Sequence, residues 1–179
     1  DHHPIPQLEI NEILIDRAKQ GKIVVRLKGG DPYVFGRGGE ELIACHEAGI
    51  EVEVVPGVTS AIAVAASAGI PVTHRGVASG FSVVSGHTEL NALPHDRAHT
   101  LILLMGVRRL REAAEQLIES GHDSDTPVAL VENGFADDQR VTVGTLTTIA
   151  DRADAVGAQP PAVTINGDVV TLSPAWQPA

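Results

Sequence analysis

The sequence contains little of what several classes of protein require. Its 179 residues include one cysteine, Cys45, so no internal disulfide can form and a reducing compartment is indicated. Aromatic residues make up only 3% of the chain, so valine, isoleucine, leucine and alanine must build the core. No apolar run reaches the roughly 18 residues that a membrane span needs, and no signal segment opens the chain. These absences predict a cytoplasmic protein without a membrane partner.

Positive charge is also scarce, which narrows the choice of partner. Lys and Arg number 13 against 23 Asp and Glu, and the formal net charge of −10 disfavours nucleic acid as a ligand. An acidic small molecule is compatible with this balance where a local cluster of cations can bind it. The candidate cations are Arg26, Lys28, Arg37 and Arg75. No metal site is predicted, and His2 and His3 are interpreted as surface residues.

Apolar periodicity and turn residues predict alternating helices and short strands. In the first part of the chain, helices are predicted around 10–18, 39–49 and 59–69, and β-branched runs predict strands at 22–27 and 51–57. The second part predicts strands at 81–85, 100–104, 127–131, 140–143, 162–165 and 169–172, with helices at 108–120 and 146–156. This alternation indicates an α/β fold, and a break in it around 70–80 predicts two domains, 1–75 and 76–179.

The stretch RLKGGDPYVFGRGGEE, residues 26–41, concentrates five glycines in sixteen positions. Such a cluster indicates unusual backbone conformations or the close approach of a ligand. The stretch contains no Walker P-loop, and the dinucleotide fingerprint starting at Gly36 would need glycine at position 41, which is Glu41. Phosphate binding is therefore disfavoured. Two interpretations stay open: a flat or folded ligand approaching the backbone, and a tight turn without a ligand.

The longer string VVRLKGGDPYVFGRGGEE, followed by VVPGVTSAIAVAASAGIPVTHR, resembles the uroporphyrinogen-III C-methyltransferase family within the tetrapyrrole methylases. The strings LLMGV, VALVENG, QRVTVGTL and PPAVTINGDVV follow in the family's order, so the resemblance extends from Asp1 to about Leu172. It implies a homodimer whose chains have two α/β domains with S-adenosylmethionine bound in the cleft between them. The implied reaction methylates two ring carbons of uroporphyrinogen III, giving precorrin-2 for sirohaem and cobalamin biosynthesis.

The resemblance also implies which residues meet the cofactor. These are Gly29, Gly30 and Asp31, then Thr59 and Ser60, and from the second domain Met105, Gly134 and Ala162. The carboxylates of the tetrapyrrole substrate would meet the four candidate cations, since arginine binds carboxylate in a bidentate manner. Taken singly, these residues have ordinary interpretations, because a lone Met usually packs in a core and a lone Gly in a turn.

No catalytic residue can be assigned from this chain. It begins without Met and reads as mid-sequence, so the family's first cofactor loop and its acid–base residues are expected upstream of Asp1. Two other functions therefore stay open: an inactive fragment that only folds and dimerises, and a related methylase acting on a corrinoid precursor. A generic nucleotide-binding domain is disfavoured by the missing phosphate motifs.

Overall fold

The computed structural model describes residues 5–87, 90 and 93–177, and the chain forms two compact units, Asp1–Thr59 and Ser60–Ala179. His2 and His3 lie outside the described residues. The boundary predicted at residue 75 falls inside the second unit, because the helix that starts at Ser60 buries Ala61 and Ala65 in that unit's core. Within the described ranges, no helix is long and apolar enough to cross a membrane.

Two helices form the regular part of the first unit. They are α1 (Gln7–Lys19) and α2 (Gly38–Glu47), and both were predicted. The strands predicted at 22–27 and 51–57 are wrong, since neither segment joins a hydrogen-bonded ladder among the described residues. The side chains of Ile23 and Leu27 are 97% and 84% exposed. A β-branched run becomes a strand only where a neighbouring backbone completes its hydrogen bonds, which the local sequence does not specify.

The second unit contains a five-stranded sheet with the order β1-β2-β5-β3-β4. Strands β1 and β2 are parallel, β5 is antiparallel to both β2 and β3, and β4 is antiparallel to β3. All five strands were predicted, and their bounds are β1 (Gly80–Ser85), β2 (His99–Leu104), β3 (Pro127–Glu132), β4 (Arg140–Thr145) and β5 (Ala162–Asn166).

The strand predicted at 169–172 is wrong, because Asp168–Leu172 is a 3₁₀ helix. Both edges of β5 are already paired, one with β2 and the other with β3, so a strand turning back from β5 would find no free edge. The apolar character of this run still has a structural use. Val169 and Val170 are both fully buried against the sheet.

Helices cover both faces of the sheet. Ile102 and Leu104 of β2 face one core, where α3 (Ser60–Ser67) packs, and Leu101 and Leu103 face the other. The second core is closed by α4 (Leu110–Glu119), preceded by a 3₁₀ turn, and by α5 (Ile149–Ala155). Successive strand residues point to opposite faces, so a strand covered on both sides must be apolar throughout. This requirement explains the unbroken run of leucine and isoleucine in β2.

The packing of α3 gives a test of this architecture. Ala65 is 0% exposed, whereas its neighbour Ala66 is exposed. Ala65→Leu should overfill a close-packed core and lower the free energy of unfolding by about 1–3 kcal/mol. Ala66→Leu makes the same chemical change on the outer face of the helix and should have little effect. Urea denaturation compares the two, and equal stabilities would contradict the packing of α3 on the sheet.

Candidate functional site

In the second unit, three strands have their ends side by side at one end of the sheet. Because β2 and β3 are both antiparallel to β5, their carboxyl ends lie beside the amino end of β5. Leu104 pairs with Val163, and Glu132 pairs with Ala162. The register therefore brings together the residues predicted to meet the cofactor from this unit, which are Met105, Gly134 and Ala162. We call this end of the sheet, where β2 and β3 end and β5 begins, the strand-end edge.

The backbone at the strand-end edge is strained. Met105, Asn133 and Phe135 have positive φ angles of 58°, 50° and 68°, a conformation that costs L-residues roughly 1–2 kcal/mol each. Such outliers concentrate at binding and active sites, where the surrounding structure fixes them. The Met105 residue is also 45% exposed. Met105 is therefore not buried within its unit, and the ordinary interpretation of Met105 as a core residue does not hold.

Packing within the second unit requires a glycine at position 134. A Cβ at this position would lie 2.8 Å from Cγ2 of Val64 on α3, closer than real contacts allow. The same loop is tied to α3 because Nε2 of Gln139 donates to the Ser67 carbonyl at 3.2 Å. Oε1 of Gln139 also accepts the N–H of Phe135 at 2.8 Å. The packing accounts for the glycine, and a contact between Gly134 and a ligand stays a prediction.

In the first unit, Asp31 joins two segments that are distant in sequence. Its Oδ1 accepts the N–H of Tyr33 at 2.8 Å, and its Oδ2 accepts the N–H of Gly57 at 3.1 Å. These hydrogen bonds, led by the one from Tyr33, lower the pKa of Asp31. A Cβ on Gly57 would lie 2.7 Å from the Gly30 carbonyl oxygen, so the two backbones are in close contact. The Asp31 carboxylate therefore positions the loop, and its contact with a cofactor stays a prediction.

The glycines of the 26–41 stretch differ in what surrounds them. A Cβ on Gly36 or Gly38 would lie 2.7 or 2.6 Å from the Pro32 carbonyl oxygen, so these two glycines allow the loop to close on itself. The loop is closed by the Gly38 N–H, which donates to Pro32 O at 2.9 Å. A Cβ on Gly29, by contrast, would meet no heavy atom of the described residues within 4 Å. Gly29 thus faces open space, as Gly39 does, and a contact between Gly29 and a ligand stays a prediction.

Two of the candidate substrate cations are already paired inside the first unit. Nζ of Lys28 lies 2.8 Å from Oε2 of Glu41, and Nε of Arg26 lies 3.1 Å from Oε1 of the same carboxylate. Burial alone would raise the pKa of Glu41, but hydrogen bonds from Lys28 and Gln7, with the charges of Lys28 and Arg26, outweigh it and lower the pKa. From the sequence, Glu41 was identified only as the residue that breaks the dinucleotide fingerprint, so its pairing with two cations was missed.

The other two candidate cations, Arg37 and Arg75, differ in whether they have a carboxylate partner. Arg37 makes two hydrogen bonds of 2.8 and 2.7 Å to Glu40, and both side chains are more than half exposed. Arg75 is exposed, and its guanidinium makes no ion pair within the described ranges.

Thr59 and Ser60, two of the residues predicted to meet the cofactor, lie where α3 begins. Thr59 is half-buried, and Ser60 is exposed at the start of α3. A search of the described residues finds no group of three or more His, Cys, Asp or Glu placed to hold a metal ion.

The family model for Tetrapyrrole (Corrin/Porphyrin) Methylases matches residues 1–150, and the chain belongs to this family. It is 52% identical over 178 residues to the S-adenosyl-L-methionine-dependent uroporphyrinogen III methyltransferase of Methanosarcina barkeri, covering 95% of this chain and 70% of that protein. It is 47% identical to the uroporphyrinogen-III C-methyltransferase of Priestia megaterium, covering 97% of this chain and 76% of the relative. The predicted family membership is therefore confirmed.

Solved structures agree with this assignment. Uroporphyrin-III C-methyl transferase from Thermus thermophilus, complexed with S-adenyl homocysteine, is 42% identical with a TM-score of 0.78, covering 93% of this chain and 75% of that one. A cobalt precorrin-4 methyltransferase is 25% identical with a TM-score of 0.80, covering 94% of this chain and 73% of that one. The predicted α/β fold class is confirmed by these matches.

Replacing Asp31 tests how the first unit holds its loop. Asp31→Asn keeps one oxygen acceptor and loses the charge, so we expect faster hydrogen exchange at the Gly57 amide. Because the folded-state pKa of Asp31 is lowered, its stabilising contribution is present above an ordinary aspartate pKa of about 3.9 and is lost as the pH falls further. Urea unfolding as a function of pH should therefore show a weaker acid dependence in the variant.

Asp96→Asn is the matched control, because Asp96 accepts a backbone N–H from Ala98 in the second unit by a similar local turn. It should leave exchange at Gly57 unchanged. Unaltered Gly57 exchange in Asp31→Asn would contradict the positioning role of Asp31.

Proposed function

We propose that this protein is an S-adenosylmethionine-dependent uroporphyrinogen-III C-methyltransferase, which methylates two ring carbons of its substrate to give precorrin-2. The observation that supports this proposal most directly is the register of β5 between β2 and β3. This register brings Met105, Gly134 and Ala162 together at the strand-end edge. Identities of 47–52% to relatives bearing this activity in their names support the same reaction. The lower identity of 25% to a cobalt precorrin-4 methyltransferase favours this substrate over a later corrinoid precursor.

The residues present suit a cofactor that has a nucleoside and an amino acid but no phosphate. In the second unit, the strand-end edge offers backbone groups and the exposed residue Met105. In the first unit, Gly29 leaves open space in front of the backbone. The residues that would hold the cofactor are Gly29, Gly30, Asp31, Thr59, Ser60, Met105, Gly134 and Ala162. The absence of a P-loop string agrees with this choice of ligand.

When bound, S-adenosylmethionine supplies an electrophilic methyl group on a positively charged sulfur. The work left to the protein is orientation, which can lower a barrier by roughly 7–11 kcal/mol at most. A wall of strand ends within a close-packed sheet suits this task, because buried strands move little. Arg75 is the candidate cation without a carboxylate partner among the described residues, so it is the one we expect to bind a substrate carboxylate; Arg26, Lys28 and Arg37 already have carboxylate partners.

We also propose that the protein is a homodimer in the cytoplasm. The family resemblance supports the dimer, which sedimentation velocity would distinguish from a monomer. Cys45 is buried and burial raises the pKa of its thiol, so it is held as an unreactive group. A single buried, reduced cysteine agrees with a reducing compartment.

Binding and turnover together test the proposed reaction. Calorimetric titration with S-adenosylhomocysteine should show saturable binding. Incubation with S-adenosylmethionine and uroporphyrinogen III should give a product heavier by two methyl substitutions, detected by mass spectrometry. Binding without methylation would favour the alternative of an inactive unit. A folded protein that does not bind S-adenosylhomocysteine would contradict the proposal.

Met105 variants test whether the cofactor binds at the strand-end edge. Met105→Gly relieves the left-handed strain while adding glycine's entropy cost, so stability should stay within about 1 kcal/mol of the wild type. Losing the apolar side chain should weaken S-adenosylhomocysteine binding about tenfold. Met105→Leu keeps the apolar volume and should retain most of the affinity. Wild-type affinity in Met105→Gly would exclude Met105 from the binding surface.

A further inference from the structure

Glu132 is a buried carboxylate at the centre of the strand-end edge. It is the last residue of β3 and is 3% exposed. In the sheet register it lies opposite Ala162 on β5 and opposite Arg140 on β4. Glu132 is therefore the residue at which the two loops flanking the edge come together, the 133–139 loop that carries Gly134 and the 156–161 loop that leads into Ala162.

The carboxylate of Glu132 accepts hydrogen bonds from β4, at the end of the 133–139 loop, and from the 156–161 loop. Nε and Nη2 of Arg140, the first residue of β4 directly after the 133–139 loop, donate to Oε2 and Oε1, each at 2.7 Å. The N–H of Gln159, in the 156–161 loop, donates to Oε1 at 2.8 Å. The hydrogen bonds from Arg140 are the main cause of the lowered pKa of Glu132, so the group is ionised at neutral pH.

The two loops also contact each other directly. The N–H of Asn133, the residue after Glu132, donates to the Pro161 carbonyl, the residue before Ala162, at 3.0 Å. Asn133 and Phe135 both have positive φ, and neighbouring attachments must hold such residues in place. Asn133 is also bonded to Asp138 and Phe135 to Gln139, and Glu132 adds an attachment at the strand end that precedes them.

Fold stability alone does not explain a carboxylate at this position. The Glu132 side chain is 4% exposed and that of Arg140 is 43% exposed, so the carboxylate is the buried partner of this pair. Withdrawing a charge from water is costly, and apolar residues of similar volume often replace such a group without loss of stability. What an apolar residue cannot do is accept hydrogen bonds from Arg140 and from Gln159 at the same time. The carboxylate's particular contribution is thus the connection between the two loops.

We propose that Glu132, oriented by Arg140, is a positioning residue that fixes Gly134 and Ala162 for cofactor binding; this inference rests on the proposed function. Glu132 has no role in the chemical step. It acts by holding the two loops in the one arrangement that matches the cofactor. Its loss should therefore affect the cofactor more than the tetrapyrrole.

Three variants and one control test this role. Glu132→Ala removes all three hydrogen bonds, Glu132→Gln keeps an acceptor for the Gln159 N–H, and Arg140→Gln removes the bidentate cation. The control is Asp168→Asn, which weakens the pair between Asp168 and Arg97 beyond the opposite end of β5. Thermal denaturation first establishes that each variant is folded at the assay temperature. Should Glu132→Ala not fold, Glu132→Gln and Arg140→Gln carry the test.

The readouts are the Kd for S-adenosylhomocysteine, the KM values for both substrates, and hydrogen exchange at the Asn133 and Gln159 amides. Loops that lose this connection should bind the cofactor less tightly, so Glu132→Ala should raise the KM for S-adenosylmethionine by about tenfold or more. Glu132→Gln should be intermediate, and the KM for uroporphyrinogen III should change little. Exchange at both amides should become faster in Glu132→Ala.

Wild-type cofactor affinity in the folded variants would overturn this inference while leaving the proposed function intact. Equal weakening of affinity by Asp168→Asn would also overturn it, because the effect would then follow general stability. Failure of the wild-type protein itself to bind S-adenosylhomocysteine would instead overturn the proposed function, and this inference with it.

Discussion

The antiparallel insertion of β5 between β2 and β3 is the constraint on which the second unit depends. Strands β2 and β3 point in the same direction, and a strand that runs against both brings its first residue to their last ones. Because the register pairs Leu104 with Val163 and Glu132 with Ala162, the strand-end edge is defined to within one residue. A slip of one position would also turn every buried side chain of β5 to the wrong face. The core and the candidate site are therefore specified by the same pairing.

In the second unit, the sheet provides the stabilising apolar contacts, and the strained backbone lies at the strand-end edge. Strands β3 and β5 are buried almost throughout, and their apolar contacts on both faces stabilise the unit. The left-handed residues follow directly where β2 and β3 end. This arrangement is expected of a binding surface, because a well-packed element can hold unfavourable backbone conformations that an isolated loop would relax. The ion pair of Glu132 with Arg140 lies where these two regions meet.

The sequence predicted much of the second unit and less of the first. Strand β2 was recognisable because residues 101–104, which are covered on both faces of the sheet, are all leucine or isoleucine. The same signal failed at 22–27, since β-branched residues indicate a tendency to pair and not the presence of a partner. It failed again at 169–172, where two consecutive buried valines lie in a 3₁₀ helix. Resemblance to a family suggested Met105, Gly134 and Ala162, whereas the strand register that gathers them is long-range information. The ion pairs of Glu41, the bond from Gln159 to Glu132 and the bond from Gly57 to Asp31 join residues that are distant in sequence, so no local pattern could reveal them.

The central claim is that the strand-end edge forms a wall of the cofactor site. A crystal structure of the protein bound to S-adenosylhomocysteine tests it most directly. The account predicts ligand density in contact with Met105, Gly134 and Ala162, with the backbone of these residues unchanged. Density placed away from this edge, for example at the opposite end of β5 near Asp168, would contradict it.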